Sequence, residues 1–395
     1  MASMTRTVAA SGANHTTIAD AMSYIVTNFT GYAGSDVATI QLIGAEEYNE
    51  SNIALGGISG TASITSYLKI EATDAVKHDG TYNTSKARVR GTTDAEHVFN
   101  ITDNFVHVKN LAIFQDSSPG TSDECIRLAP SSTMINALIE KCVFRTANIE
   151  DMDCIYAGYV DITSAYVFDC VFRVGGANAR SAINAQLYAT GQTLTQNWYI
   201  EHCTVDCNGS TDFGAGFEGG ITAWAQDSTN TANMSVNNCA VFDPGTGILC
   251  YNEYDGGAMS GTIAWSGDGN ISSDTSAETE FGATINFDSV TMRTADSSGE
   301  QYRVTDLTAG AEDYQLLAGA TGTDVAIGGA VSGATRDARV DLTLDVAGNA
   351  RPTTYTDRDI GAFQTSNPMT ITDVDTDETW DDGDANLVIT GTGFV

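Results

Sequence analysis

Positive charge is scarce in this chain, proline is scarcer, and long apolar runs are missing. Lys and Arg number 18 against 51 Asp and Glu in 395 residues, a formal net charge of −33. Polyphosphate backbones are held by Lys and Arg, so nucleic acid is excluded as an expected partner. An anionic membrane surface is excluded on the same ground. No run of about 18 apolar residues occurs, so no membrane-inserted helix is expected. The start, Met1-Ala-Ser-Met-Thr-Arg6, has no apolar signal core, so no export signal is expected there. There is no Cys-x-x-Cys pair for zinc, no Gly-x-x-x-x-Gly-Lys phosphate loop and no credible Ser-His-Asp set. The 39 Gly, with many β-branched residues, interrupt each window long enough for a pair of amphipathic helices.

What is present is repetition. One phrase returns five times: Val108-Lys-Asn-Leu111-Ala-Ile113, Ile139-Glu-Lys-Cys142-Val-Phe144, Val167-Phe-Asp-Cys170-Val-Phe172, Ile200-Glu-His-Cys203-Thr-Val205 and Val236-Asn-Asn-Cys239-Ala-Val241. Starts fall 28 to 36 residues apart, a period that marks stacked repeats. A second phrase runs out of phase: Cys125-Ile126-Arg-Leu128, Cys154-Ile155-Tyr-Ala157, Ala182-Ile183-Asn-Ala185, Gly220-Ile221-Thr-Ala223 and Gly247-Ile248-Leu-Cys250. Each repeat therefore carries at least two short strands with alternating burial. Cys142, Cys170, Cys203 and Cys239 share one repeat position, and coils stack about 4.8 Å apart. This predicts a ladder of reduced, inward thiols rather than a disulfide framework.

Residues 16–29 read as an amphipathic helix with Ile18, Ala21, Met22, Ile25, Val26 and Phe29 on one face. A helix there would cover the open edge of the first coil. Strands are expected at Val37–Ile43 and Leu68–Ala72. The predicted divisions are 1–35 as arm and capping helix, 36–303 as nine or ten coils, 304–366 as a closing region and 367–395 as a separate acidic segment.

These repeats, with Asp313-Tyr-Gln-Leu316 and Asp359-Ile-Gly-Ala-Phe-Gln364 near the end, make residues 14–364 resemble the right-handed parallel β-helix proteins of the pectin-lyase-like superfamily, and in particular phage-borne members. The resemblance implies an all-β solenoid and leaves activity open, because the fold hosts lyases, hydrolases, adhesins and phage spikes. Polygalacturonase-type Gly-His-Gly and Arg-Ile-Lys strings are missing, as is a pectate-lyase-type Trp-Ile-Asp-His. The tail, with Thr370-Ile-Thr-Asp-Val374 and Ile389-Thr-Gly-Thr-Gly-Phe394, resembles the opening of an IPT/TIG-like immunoglobulin domain; the alternative is a short pair of docking strands.

Glycosidase chemistry needs two carboxyls about 5–9.5 Å apart, which acids at equivalent positions on adjacent coils would satisfy. The sequence nominates Glu218 and Asp227, with Glu253 and Asp255 one coil later. Trp224, Tyr251 and Tyr254 are nominated as a sugar-stacking platform. No cofactor is implied, but Asp373, Asp375, Asp377 and Asp384 partly match a calcium loop, with Glu378 where glycine is required. The five histidines share no repeat position, and His202 is expected to be plain outward surface beside inward Cys203.

The first functional expectation is a virion component — tail fibre, spike or head decoration — displaying a rigid, glycan-binding rod. Its partners would be other virion proteins and a host-surface polysaccharide, with a homotrimer as the expected oligomer. The alternatives are a secreted polysaccharide lyase or glycoside hydrolase and a bacterial surface adhesin.

Overall fold

Each repeat uses three strands, one more than the two phrases mark. In the computed structural model they fall into three all-parallel sheets. The description covers residues 3–93, 96–116, 123–130, 134, 136–147, 152–175, 180–188, 191–207, 219–242, 249–253, 260–274, 276–277, 314, 330, 336–354 and 358–364. Sheet A stacks β1 (Met4–Val8), β2 (Ala38–Leu42), β5 (Leu68–Ala72), β8 (Val106–Lys109), β11 (Ala137–Glu140), β14 (Ile162–Phe168), β17 (Thr195–Glu201), β20 (Thr231–Asn237) and β23 (Thr262–Ser266). Sheet B stacks β4 (Ile53–Leu55), β7 (Phe99–Ile101), β10 (Glu124–Leu128), β13 (Asp153–Gly158), β16 (Ser181–Leu187), β19 (Gly219–Ala225) and β22 (Leu249–Glu253). Sheet C stacks β3 (Glu47–Asn49), β6 (Arg88–Gly91), β9 (Ala112–Gln115), β12 (Val143–Thr146), β15 (Val171–Arg173), β18 (Thr204–Asp206), β21 (Ala240–Phe242) and β24 (Ile271–Ser272). The chain runs A, C, B and back to A, one coil per circuit: a parallel β-helix.

The first sequence phrase spans a corner. Between the A and C strands sits one residue with positive φ: Asn110, Lys141, Asp169, His202 or Asn238, at 51° to 58°. The left-handed conformation turns the chain sharply, and the next residue, Leu111 or a cysteine, points into the core. Each thiol then donates across the corner to the carbonyl two residues back: Cys142 to Glu140, Cys170 to Phe168, Cys203 to Glu201 and Cys239 to Asn237, at 3.2 to 3.5 Å. All eight cysteines are buried, and none forms a disulfide. Burial pushes the Cys170 and Cys239 thiols up, so they stay protonated. Inside, like stacks on like: Ile126, Ile155, Ile183 and Ile221 share one row. Phe144 and Phe172 lie ring on ring at 4.8 Å.

The second phrase continues differently at its last coil. Tyr251, not Ile248, pairs with Ile221, so the alignment slips by three residues. An aromatic residue has taken the isoleucine position, which hid the register from the sequence.

The predicted cap is α1 (Ile18–Asn28). Thr17 accepts from the Asp20 N–H at 3.1 Å, and the Glu50 carboxylate takes the Ile18 and Ala19 N–H groups. Ile18, Ala21, Met22 and Ile25 are buried, but Val26 is exposed, because the apolar stripe is narrower than the sequence suggested. Since β1 is already the first strand of sheet A, residues 1–35 are more than an arm and cap.

Residues 336–354 and 358–364 form a strap along the outside of the coils. Arg336 grips Glu201 with two bonds of 2.7 Å, and Asp337 accepts from Asn136 at 2.8 Å. Lys141 donates to the Asp341 carbonyl, and Arg351 to Asp169, both at 2.7 Å. Ala362 N–H reaches the Thr204 hydroxyl at 2.9 Å. Val346, Ile360, Ala362 and Phe363 close over Val143, Val171 and Ala240, so sheet C has apolar packing on its outer side as well. Gly80 is needed here: at φ +92° an added Cβ would lie 2.5 Å from the Phe363 ring.

The strap corrects the expectation for His202. Its side chain does leave the thiol core, but it is fully buried beneath Arg336, Arg351 and Arg358. Burial and those three cations hold its imidazole well below the usual range. Segment 367–395, expected to open an immunoglobulin-like domain, and the aspartates 373, 375, 377 and 384 lie outside the described residues.

Candidate functional site

Sheet B carries rows of polar and aromatic residues alongside its isoleucine row. Register puts Arg127, Tyr156, Asn184, Thr222 and Asn252 in one row across five strands. Gly158, Gln186 and Trp224 form the next row. Glu124 and Asp153 are direct neighbours at the start of β10 and β13.

Buried acids form the lower layer. Arg127 donates to His97 Nε2 at 2.9 Å, so a neutral His97 carries its proton on Nδ1, facing Glu124. Asp153 accepts from the Ser181 N–H at 2.9 Å and from the Asn184 amide at 3.1 Å. Burial pushes the Asp153 carboxyl up to about 7, with Arg180 opposing and the Glu124 charge adding to the rise. Burial also raises Glu124, against the pull of His97 and Arg127. Two carboxyls with raised affinities for protons on adjacent coils, about 4.8 Å apart along the stack, make an acid–base arrangement chemically available.

Above it runs an exposed aromatic ridge. Tyr159 is 51% exposed and Tyr188 is 41% exposed, while Trp224 is nearly covered at 7%. The Tyr159 and Tyr188 rings meet edge to face at 5.7 Å, and the Tyr188 and Trp224 rings do so at 5.1 Å. Below the ridge, the Tyr156 hydroxyl donates to Gln186 at 2.6 Å.

Of the acids named from sequence, Asp227 is described and proves to be a turn organiser. It accepts from the Gly191 and Thr229 N–H groups and from the Thr229 hydroxyl, and these bonds hold its carboxyl below the usual range. Glu253 is exposed at the end of β22, in register with Ala223. Glu218, Asp255 and Tyr254 lie outside the described residues. Trp224 lies in register with Gln186 and packs against the Tyr188 ring, nearly covered. Tyr251 is fully buried, its hydroxyl donating to the Cys239 and Ile271 carbonyls, because its register position points inward. Glu124 and Asp153 were missed. Their signal was an acid immediately before Cys-Ile on two consecutive coils, Glu124-Cys125-Ile126 and Asp153-Cys154-Ile155. Among the described residues, no group of three or more His, Cys, Asp or Glu is placed to hold a metal ion. No described helix is long and apolar enough to cross a membrane.

The class defined so far is a parallel β-helix with a polar and aromatic outer face on sheet B. Solved structures similar to the chain include pectin methylesterases. That from Aspergillus niger is 13% identical over 76% of this chain and 93% of that one, with a TM-score of 0.37. The carrot enzyme is 11% identical, covering 75% and 89%, at 0.35. The Erwinia chrysanthemi enzyme PemA is 11% identical, covering 69% and 94%, at 0.29. Likeness at this level carries no argument about activity or residue roles. No protein-family profile matches the sequence, and no curated protein matches it.

Proposed function

We propose that the protein is a rigid, polysaccharide-binding β-helix whose ligand meets the Tyr159–Tyr188–Trp224 ridge. The observation that carries this reading is the exposure of two tyrosine rings, braced edge to face by each other and by Trp224. Aromatic faces bury the C–H faces of sugars, and tyrosine hydroxyls remain to bond sugar hydroxyls. A glycan array probed with the intact protein and with Tyr188→Ala tests it. Array binding that Tyr188→Ala abolishes is expected; no binding to any glycan sinks the reading.

A virion component is the proposed setting. Eight buried cysteines without a disulfide support it, since thiols left reduced suit a chain that folds in a reducing compartment. The trimer and the partnership with other virion proteins belong to the same proposal. Size-exclusion chromatography with light scattering tests the trimer, and purification of the particle tests the setting.

A second reading, polysaccharide cleavage, is favoured by the in-register Glu124 and Asp153. In that reading Asp153 donates the proton and Glu124 is the paired carboxylate. Release of new sugar ends by the intact protein, lost in Asp153→Asn, would support it. No product from any neutral or acidic polymer would leave binding alone.

A further inference from the structure

The charges around the ridge narrow the kind of glycan it can take. On β10, β13, β16, β19 and β22 and their described flanks stand six carboxyl residues: Asp123, Glu124, Asp153, Asp161, Asp227 and Glu253. Only Arg127 and Arg180 stand against them. Arg127 is engaged by His97 at 2.9 Å, and the field of Arg180 falls on Asp153. Recognition of a sugar carboxylate or sulfate calls for guanidinium or ammonium groups aimed at it. The chain as a whole, at −33, also repels a polyanion at long range. The ridge, by contrast, offers ring faces and phenol hydroxyls, which recognise C–H surfaces and hydroxyls without regard to charge.

We propose that the ligand of this ridge is an uncharged pyranose polymer, not a polyuronate or a sulfated chain. The inference rests on the glycan-binding reading and adds the substrate class to it. Tyr188, which touches both other rings, is the anchor. Tyr159, the most exposed of the three, sets the outer limit of the contact.

Native affinity electrophoresis of the full chain provides the test. The gels contain hydroxyethylcellulose, galactomannan or soluble starch as neutral probes, and polygalacturonate or alginate as acidic ones. Retardation by at least one neutral polymer, unchanged between low and high salt, is expected. Tyr188→Ala should weaken it by about tenfold or more, and Tyr188→Phe should keep most of it. Circular dichroism and thermal unfolding of both variants confirm that the fold is retained. Retardation by an acidic polymer alone, fading with salt, would overturn the inference while leaving polysaccharide binding intact. Retardation by none of the five would overturn both.

Discussion

Arg351 donates to Asp169 at 2.7 Å across 182 residues of sequence, and neither side chain has any solvent exposure. The same guanidinium nitrogen also reaches the Gly361 and Ala362 carbonyls. The pair pins the strap to the corner of a coil, inside the region that also buries His202.

Breaking this pair from one side should therefore be costly. Arg351→Ala is expected to lose about 3–5 kcal/mol, because it strands a buried carboxylate. Urea unfolding measures the loss. The Asp169→Asn, Arg351→Met double variant should recover most of it, since no lone charge then remains. A single-variant loss below about 1 kcal/mol would mean that the strap contributes little to stability.

The thiol ladder makes a labelling prediction. In the native protein a maleimide should modify none of the eight cysteines, and in denaturant it should modify all of them. Cys203→Val should cost about 1–3 kcal/mol by overpacking a column in which the Cys239 sulfur already accepts from the Cys203 N–H at 3.4 Å. Rapid native labelling of Cys142, Cys170, Cys203 or Cys239 would contradict the inward register.

Asp153 gives a pH prediction with a definite sign. Its folded value, about 7, lies above the ordinary 3.8, so the folded state binds this proton more tightly. Its contribution is fully present below about pH 4 and is lost as pH rises through 7. Asp153→Asn should remove that slope, so the stability difference between variant and parent shifts by several kcal/mol between pH 4 and 8. Chemical denaturation at four pH values measures it; parallel curves would place Asp153 in an ordinary carboxyl environment.

The left-handed corner makes the fourth prediction. Lys141 has φ 51°, which asparagine tolerates and valine does not. Lys141→Val should therefore be about 1–2 kcal/mol less stable than Lys141→Asn. Both variants lose the bond to Asp341, so the difference isolates the backbone. Equal melting temperatures would refute it.

How much of this was legible in the sequence depends on what repeats. Cys142, Cys170, Cys203 and Cys239 recur because each coil makes the same corner, so their inward direction could be read directly. The third strand was hidden because Ile139-Glu-Lys-Cys142-Val-Phe144 reads as one strand. The extra residue at Lys141 is in fact a bend between two. The burial of His202 was not legible at all. It is imposed by Arg336, Arg351 and Arg358, residues far along the chain and outside the repeat. Pairing acids on adjacent coils beside aromatic residues did not pick out Glu124 and Asp153, which stand in register one residue before the Cys-Ile row.

The strap also gives the molecule a direction in time. Coils pair with their immediate neighbours, so sheets A, B and C can be laid down in order as the chain leaves the ribosome. The Asn136–Asp337 bond closes 201 residues of chain, and the Glu201–Arg336 bonds close 135. Contacts of that separation form last and slowly. Until they do, Asp169 and Glu201 stand as an open acidic stripe beside uncovered apolar Val143 and Val171. A ribosome-stalled chain ending before the strap would display that stripe to chaperones and proteases. The strap thus marks a finished coil stack from an unfinished one.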